Sequence, residues 1–174
     1  MRYQPACLEI DQKAHIVLLR DISRSGAGFE SDLQVKVGEP LKYRWGNSEY
    51  TAGQVSWIEN GRFGVENLAG LTSRNQKTKF GYRSVRVPLQ ADTTVYVDGR
   101  PHDAFLHNFG QRGLSLELAN DLRAGAMMSV KMGKMVLDAV TVKWCEGNRV
   151  GATLRQALRI GEMAQIAREC DASA

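Results

Sequence analysis

The chain has 174 residues, 43% of them apolar and 24% charged, with a formal net charge of +4. That balance is ordinary for a soluble globule, and no run approaches the eighteen or so apolar residues that a membrane span needs. The N-terminus lacks a basic-then-apolar leader, so no secretion signal is expected and the expected location is the cytoplasm. Cys7-Leu8-Glu9-Ile10 alternates as a short strand with Leu8 and Ile10 on one face. Asp11-Gln12-Lys13 reads as a turn and Ile16 to Leu19 as the returning strand. Asp21 to Gly26 is rich in Ser, Gly and Asp, which is loop or bulge chemistry. Gly28-Phe29-Glu30 resumes a strand, Val37-Gly38-Glu39-Pro40 turns, and Leu41 to Trp45 alternates cleanly. After Gly46-Asn47-Ser48, Tyr50 to Ile58 reads as a long strand with Val55 and Trp57 on one face. Glu59-Asn60-Gly61 is a tight hairpin turn, and Arg62 to Glu66 closes the unit.

The same beats then return. Asp11 to Glu66 matches Asp98 to Thr153 at a constant offset of 87 residues, without a gap. Thirteen of the 56 aligned positions are identical, among them Gly26/Gly113, Glu30/Glu117, Val55/Val142, Trp57/Trp144 and Gly64/Gly151. Random pairing at average composition gives roughly three or four. A repeat this long is a duplicated domain, not a short solenoid unit. The second copy reads Thr94–Val97, Ala104–Leu106, Leu114–Leu118, Met127–Met132, Val136–Trp144 and Arg149–Leu154. Six short strands at this spacing, with turns between, suggest a small closed barrel, which also removes exposed sheet edges. After Thr153, Ala157, Ile160, Ala164, Ala167 and Cys170 recur at helical spacing, so a terminal amphipathic helix is expected over Leu154 to Cys170. The expected organisation is a barrel over residues 1–73, a basic linker over 74–86, and a barrel with a C-terminal helix over 87–174.

The linker holds Arg74, Lys77, Lys79, Arg83 and Arg86 within thirteen residues that contain no acid. It reads either as a solvated tether or as an anion site. Cys7, Cys145 and Cys170 are odd in number and follow no paired spacing, so they read as reduced thiols used as small apolar residues. His15 and His102 coincide in the repeat but have no Cys or carboxylate at ligand spacing, and no metal is expected. Trp57 and Trp144 are expected in the core. Met127, Met128, Met132 and Met135 read as core or as an adaptable docking patch. No Walker loop, GxGxxG, GxSxG or HExxH is present, so the chain is expected not to be an enzyme and to need no cofactor.

Asp21-x-Ser23-x-x-Gly26, followed by a strand, a Gly turn and a Trp-bearing strand ending in Phe63-Gly64-Val65, resembles the PilZ domain. The resemblance covers nearly all of the chain, in two copies. It implies a mainly all-β fold, two tandem six-stranded antiparallel barrels with a C-terminal α-helix. It also implies binding of the bacterial second messenger cyclic di-GMP. The family holds that ligand with a (D/N)xSxxG loop on the barrel and an RxxxR segment just before the first strand. An arginine fork can bind phosphate bidentately or reach the O6 and N7 edge of guanine. Asn or Asp and Ser on a fixed loop can meet guanine's polar edges, while Gly lets the backbone approach.

Each copy carries part of this clamp. The first copy has the whole loop in Asp21, Ser23 and Gly26, flanked by Arg20 and Arg24, but only Arg2 precedes its first strand. The second has an arm in Arg83 and Arg86, Tyr82 at the first motif position, and a loop with Asn108 and Gly113 in which Gly110 replaces the serine. The expected ligand site is therefore Arg83, Arg86, Asn108, Gly110 and Gly113, with a second site at Arg20, Asp21, Ser23 and Gly26. The resemblance implies a non-enzymatic receptor in which the arm orders on binding and a downstream protein partner reads the change. The alternative is a degenerate tandem PilZ adaptor that binds protein and no nucleotide. Homodimerisation stays open.

Overall fold

The computed structural model describes residues 4–68, 84–119 and 122–171. It divides into two compact units, Met1–Val85 and Arg86–Ala174. The first unit holds β1 (Gln4–Ile10), β2 (Lys13–Ile22), β3 (Gly26–Glu30), β4 (Pro40–Trp45), β5 (Thr51–Glu59) and β6 (Arg62–Asn67). They close into an antiparallel barrel in the order β1-β2-β3-β6-β5-β4, with β4 returning to β1. The second unit holds β7 (Arg86–Val97), β8 (Arg100–Gly110), β9 (Gly113–Leu118), β10 (Met127–Met132), β11 (Met135–Glu146) and β12 (Arg149–Thr153), followed by α1 (Ile160–Asp171). Its barrel closes in the equivalent order, β10 pairing with β7. This is the fold that the family resemblance implies, twice over. No helix among the described residues is long and apolar enough to cross a membrane.

The repeat holds down to the irregularities. Asp11 and Gln12 turn with φ of 49° and 65°, and Asp98 and Gly99 with 51° and 75°, the positive pair that a two-residue hairpin of this twist requires. A bulge breaks the register between Leu19 and Asp21 on β2, and another between Leu106 and Asn108 on β8. A second bulge lies between Val55 and Trp57 on β5, and its counterpart between Val142 and Trp144 on β11.

The β5 and β11 bulges correct the expectation for the tryptophans. Strict alternation would put Val55 and Trp57 on the same, inward face. The extra residue, Ser56, reverses the parity, so Val55 stays buried and Trp57 turns outward. Trp57 is 45% exposed and Trp144 42% exposed. The methionines divide in the same way: Met128 and Met132 are buried, while Met127 stands in solvent.

The first barrel is filled by Ala6, Leu8, Val17, Leu19, Phe29, Leu41, Tyr43, Val55, Phe63 and Val65 among others. Phe29 is central, with its ring 5.2 Å from Tyr43 edge-on and 5.5 Å from Phe63. Such pairs add about 0.5–1.5 kcal/mol each beyond the area they bury. On the outer side of β1, Cys7 is also buried, with its Sγ 3.5 Å from the Tyr50 hydroxyl. Burial pushes the thiol up. The three cysteines are not joined by disulfides.

Two boundaries differ from the sequence reading. β7 begins at Arg86, well before the alternating stretch at Thr94–Val97, and its early residues Val87, Leu89 and Ala91 are already buried. Pro88, which has no N–H to give, sits beside the register break between Pro88 and Ala91. α1 begins at Ile160, not Leu154. The amides of Leu154 and Leu158 donate to the carbonyls of Arg112 and Gln111, which ties residues 154–158 to the loop in a non-helical path, and the first helical bond, Met163 N to Arg159 O, comes after them. Glu162 then caps the helix, its Oε2 accepting from Arg159 N at 2.6 Å. Met163, Ile166, Ala167 and Cys170 form the buried face, packed on β7 and β10.

Candidate functional site

In the first barrel the Asp21–Gly26 loop links β2 to β3. Ser23 N donates to Gly26 O at 2.8 Å. The Ser23 hydroxyl accepts from Ser25 N at 3.3 Å and Gly26 N at 3.2 Å, an internal turn of the kind serine favours. Asn67, at the end of β6, fixes the loop from below. Its N–H donates to Ser25 O, its Nδ2 to Arg24 O at 3.1 Å, and its Oδ1 accepts from the Tyr43 hydroxyl at 2.8 Å. The loop is thereby tied to the aromatic core.

Above this loop a row crosses four strands. Asp21 pairs with Gly28, Gly28 with Gly64, and Gly64 with Trp57. Asp21 leans over Gly28, where a Cβ would stand 2.8 Å from Oδ2, and the Trp57 indole lies over Gly64. A depression of about 300 Å³ results, with Asp21, Ser23, Ser56, Trp57 and Glu66 among its lining. Its charged lining residues are Asp21 and Glu66, both acids. Arg20 does not join it. Its Nη1 is 2.8 Å from Glu30 Oε2, to which Arg62 also reaches at 3.5 Å. Of the second expected set, Asp21, Ser23 and Gly26 come together, and Arg20 is engaged elsewhere.

In the second barrel Arg86 opens β7 and pairs in register with Gly110, while Pro88 pairs with Asn108. The Arg86 guanidinium reaches across, Nη1 donating to Asn108 Oδ1 at 2.9 Å. Gly110 and Gly113 pair with each other around the Gln111-Arg112 turn. Gly113 cannot carry a side chain comfortably, because a Cβ would stand 2.7 Å from Ala152 O. So Arg86, Asn108, Gly110 and Gly113 share one end of the β7–β8–β9 surface. Arg83 lies outside the described residues, as do Arg2, Arg74, Lys77, Lys79 and Tyr82.

The four-strand row recurs here as Asn108, Ser115, Gly151 and Trp144. Three interstrand steps of about 4.8 Å separate its ends, roughly 14 Å. Trp144 lies over Gly151 and shows its other side to solvent. The rim contact recurs as well: His107 Nε2 is 3.3 Å from Glu117 Oε2, in the place of Arg20 and Glu30. The sequence reading missed both tryptophans as surface residues. The signal was present, since Trp57/Gly64 and Trp144/Gly151 keep the same spacing in both copies. A Trp opposite a Gly across two strands is a ring laid on bare backbone.

Three solved structures of proteins with c-di-GMP bound resemble this chain. The Borreliella burgdorferi PlzA protein in complex with c-di-GMP is 8% identical, with a TM-score of 0.39, over 95% of this chain and 87% of that one. The K. pneumonia MrkH–c-di-GMP complex is 10% identical, with a TM-score of 0.34, over 98% and 84%. YcgR from Escherichia coli in complex with c-di-GMP is 14% identical, with a TM-score of 0.37, over 94% and 80%. No family model matches the chain. No curated protein matches it in sequence.

Chemically, the face of the second barrel offers a planar cation, a side-chain amide and an exposed indole beside the Gly110–Gly113 turn. The depression of the first barrel offers hydroxyls, two carboxylates and an indole, with no cation among its described lining residues.

Proposed function

We propose that the chain is a non-enzymatic receptor for cyclic di-GMP, and that the second barrel holds the dinucleotide between Arg86 and the Asn108–Gly113 loop. The observation that carries this reading is the Arg86–Asn108 hydrogen bond. It sets the arm arginine and the loop amide side by side, as a clamp on one anionic, purine-bearing guest requires. The guanidinium would bind phosphate or the O6/N7 edge of guanine. Asn108 would meet a polar base edge, and Gly110 and Gly113 would frame the turn beside it. Trp144, on the row that Asn108 begins, supplies a ring on which a base could stack. Arg83 would join from the arm. A downstream protein partner would read the occupied state.

Calorimetry with micromolar protein and excess cyclic di-GMP tests this. Heat with a saturating isotherm is expected, and its absence overturns the reading. Arg86→Ala is expected to weaken binding by about 1.5–3 kcal/mol, the worth of a hydrogen bond to a charged group.

One observation favours a second reading, a tandem adaptor that binds protein without nucleotide. The Ser23 hydroxyl, the family's ligand contact in the first copy, is occupied by its own loop, and the depression beside it is acidic. A partner captured equally well with and without the dinucleotide, together with silent calorimetry, would support the adaptor.

A further inference from the structure

The two loops differ in what holds them. In the first barrel Asn67 makes both anchoring bonds, its N–H to Ser25 O and its side-chain amide to Arg24 O. The equivalent residue in the second barrel is Leu154. Its N–H still donates to Arg112 O at 3.0 Å, but it has no amide to reach the Gln111 carbonyl. That carbonyl accepts instead from Leu158 N at 2.8 Å, and Gln111 Nε2 donates back to Leu158 O at 3.3 Å. Arg159 alone separates Leu158 from the first residue of α1, and Glu162 holds the Arg159 amide. A continuous hydrogen-bonded path therefore runs from the tip of the second loop into the first turn of α1. The helix packs on β7, the strand that Arg86 opens.

We propose that Gln111 is a positioning residue that transmits occupancy of the second barrel's loop to α1. The proposal rests on the ligand reading above. A guest that grips Asn108, on the strand that leads into the Gly110–Gly113 turn, restricts that turn. The clasp to Leu158 is then formed from a partner that has already lost its freedom, so the segment leading into α1 is ordered at lower cost. The coupling is reciprocal: a docked helix holds the loop ready for the ligand. The first barrel's loop, fixed by Asn67 and the core, serves as the internal control.

The test is hydrogen exchange on the full chain with and without cyclic di-GMP, in the wild type and in Gln111→Ala, with calorimetry on the same samples. In the wild type the dinucleotide is expected to slow exchange at Leu158 and in the first turn of α1 by roughly five- to tenfold, with no change at Arg24–Gly26. Gln111→Ala removes the Nε2–Leu158 O bond but leaves Leu158 N on the residue 111 carbonyl, and is expected to keep binding through Arg86 and Asn108 with less added protection at α1 than the wild type. A wild type that does not bind overturns the ligand reading. A wild type that binds with α1 unchanged overturns the transmission and leaves that reading standing. A Gln111→Ala protein that binds and protects α1 as strongly as the wild type overturns the role of Gln111. If Gln111→Ala lacks a folded melting transition, Gln111→Glu replaces it, keeping the stem but setting a carboxylate against the Leu158 carbonyl. The same outcomes then decide.

Discussion

Gly26 and Gly113 occupy the same place in the two copies, each where a strand begins against its neighbour's carbonyl. A Cβ on Gly26 would collide with the Val65 oxygen, a backbone atom that cannot move without disturbing the β3–β6 ladder. Gly26→Ala is expected to cost about 1–3 kcal/mol, the usual range for overpacking. Gly113→Ala should cost less, because the Ala152 oxygen would be 2.7 Å away. Urea melts of the two variants would check both the sign and the order; equal midpoints would remove the steric account. These glycines were legible in the sequence as loop residues, but their reason was not. The resemblance assigns Gly26 to ligand approach, whereas the structure also gives it a packing role independent of any ligand. Trp57 and Trp144 were misread for a related cause. A bulge is one extra residue, and nothing in Val55-Ser56-Trp57 marks which residue it is.

Helix α1 shows how far local pattern reaches at the level of an element. Its apolar spacing located it, but of the residues that spacing named only Ala167 and Cys170 are buried; Ile160 and Ala164 are half-buried, Ala157 is exposed, and Met163 and Ile166 complete the buried face. Its start was not legible, because the competing partners of Leu154 and Leu158 are more than forty residues away in the chain. At its far end Glu169 Oε2 accepts from Lys134 N at 2.7 Å and so closes the β10–β11 turn against the helix. That backbone bond holds the Glu169 carboxyl below its ordinary value, with the Gln165 amide adding to it. A depressed carboxylate contributes stability that is present above its unfolded value and lost as the pH falls through the folded one. Acidification below the usual carboxylate range is therefore expected to loosen the helix end. Glu169→Gln should lose that part of the pH dependence, as read by hydrogen exchange at Lys134 between neutral and acidic pH. An identical acid response in the variant would remove Glu169 from the account.

The duplicated plan of the whole molecule was plain from the sequence, because Asp, Gly and Trp recur at one offset, and those residues mark turns and glycine-backed rings. What the copies no longer share was harder to read, since it lies in partners and not in motifs. The first copy has the complete loop motif but an acidic depression; the second has the motif with Gly110 in place of its serine, and the arginine. Asp21→Ala is accordingly expected to leave cyclic di-GMP affinity unchanged, while Arg86→Ala lowers it. The opposite ranking in calorimetry would move the site to the first barrel.

Each barrel is a closed ring in which every strand is hydrogen-bonded on both sides. No described strand is an edge along its whole length; β7 meets β10 only over residues 94–96, so any extension of a sheet is confined to short overhangs such as residues 86–92. Recognition of this protein through its described residues therefore falls mainly to side chains on the barrel walls, to the turns, and to the polar side of the helix. Its signal has to be written mostly in surface chemistry, since most of its strand backbone is already spoken for.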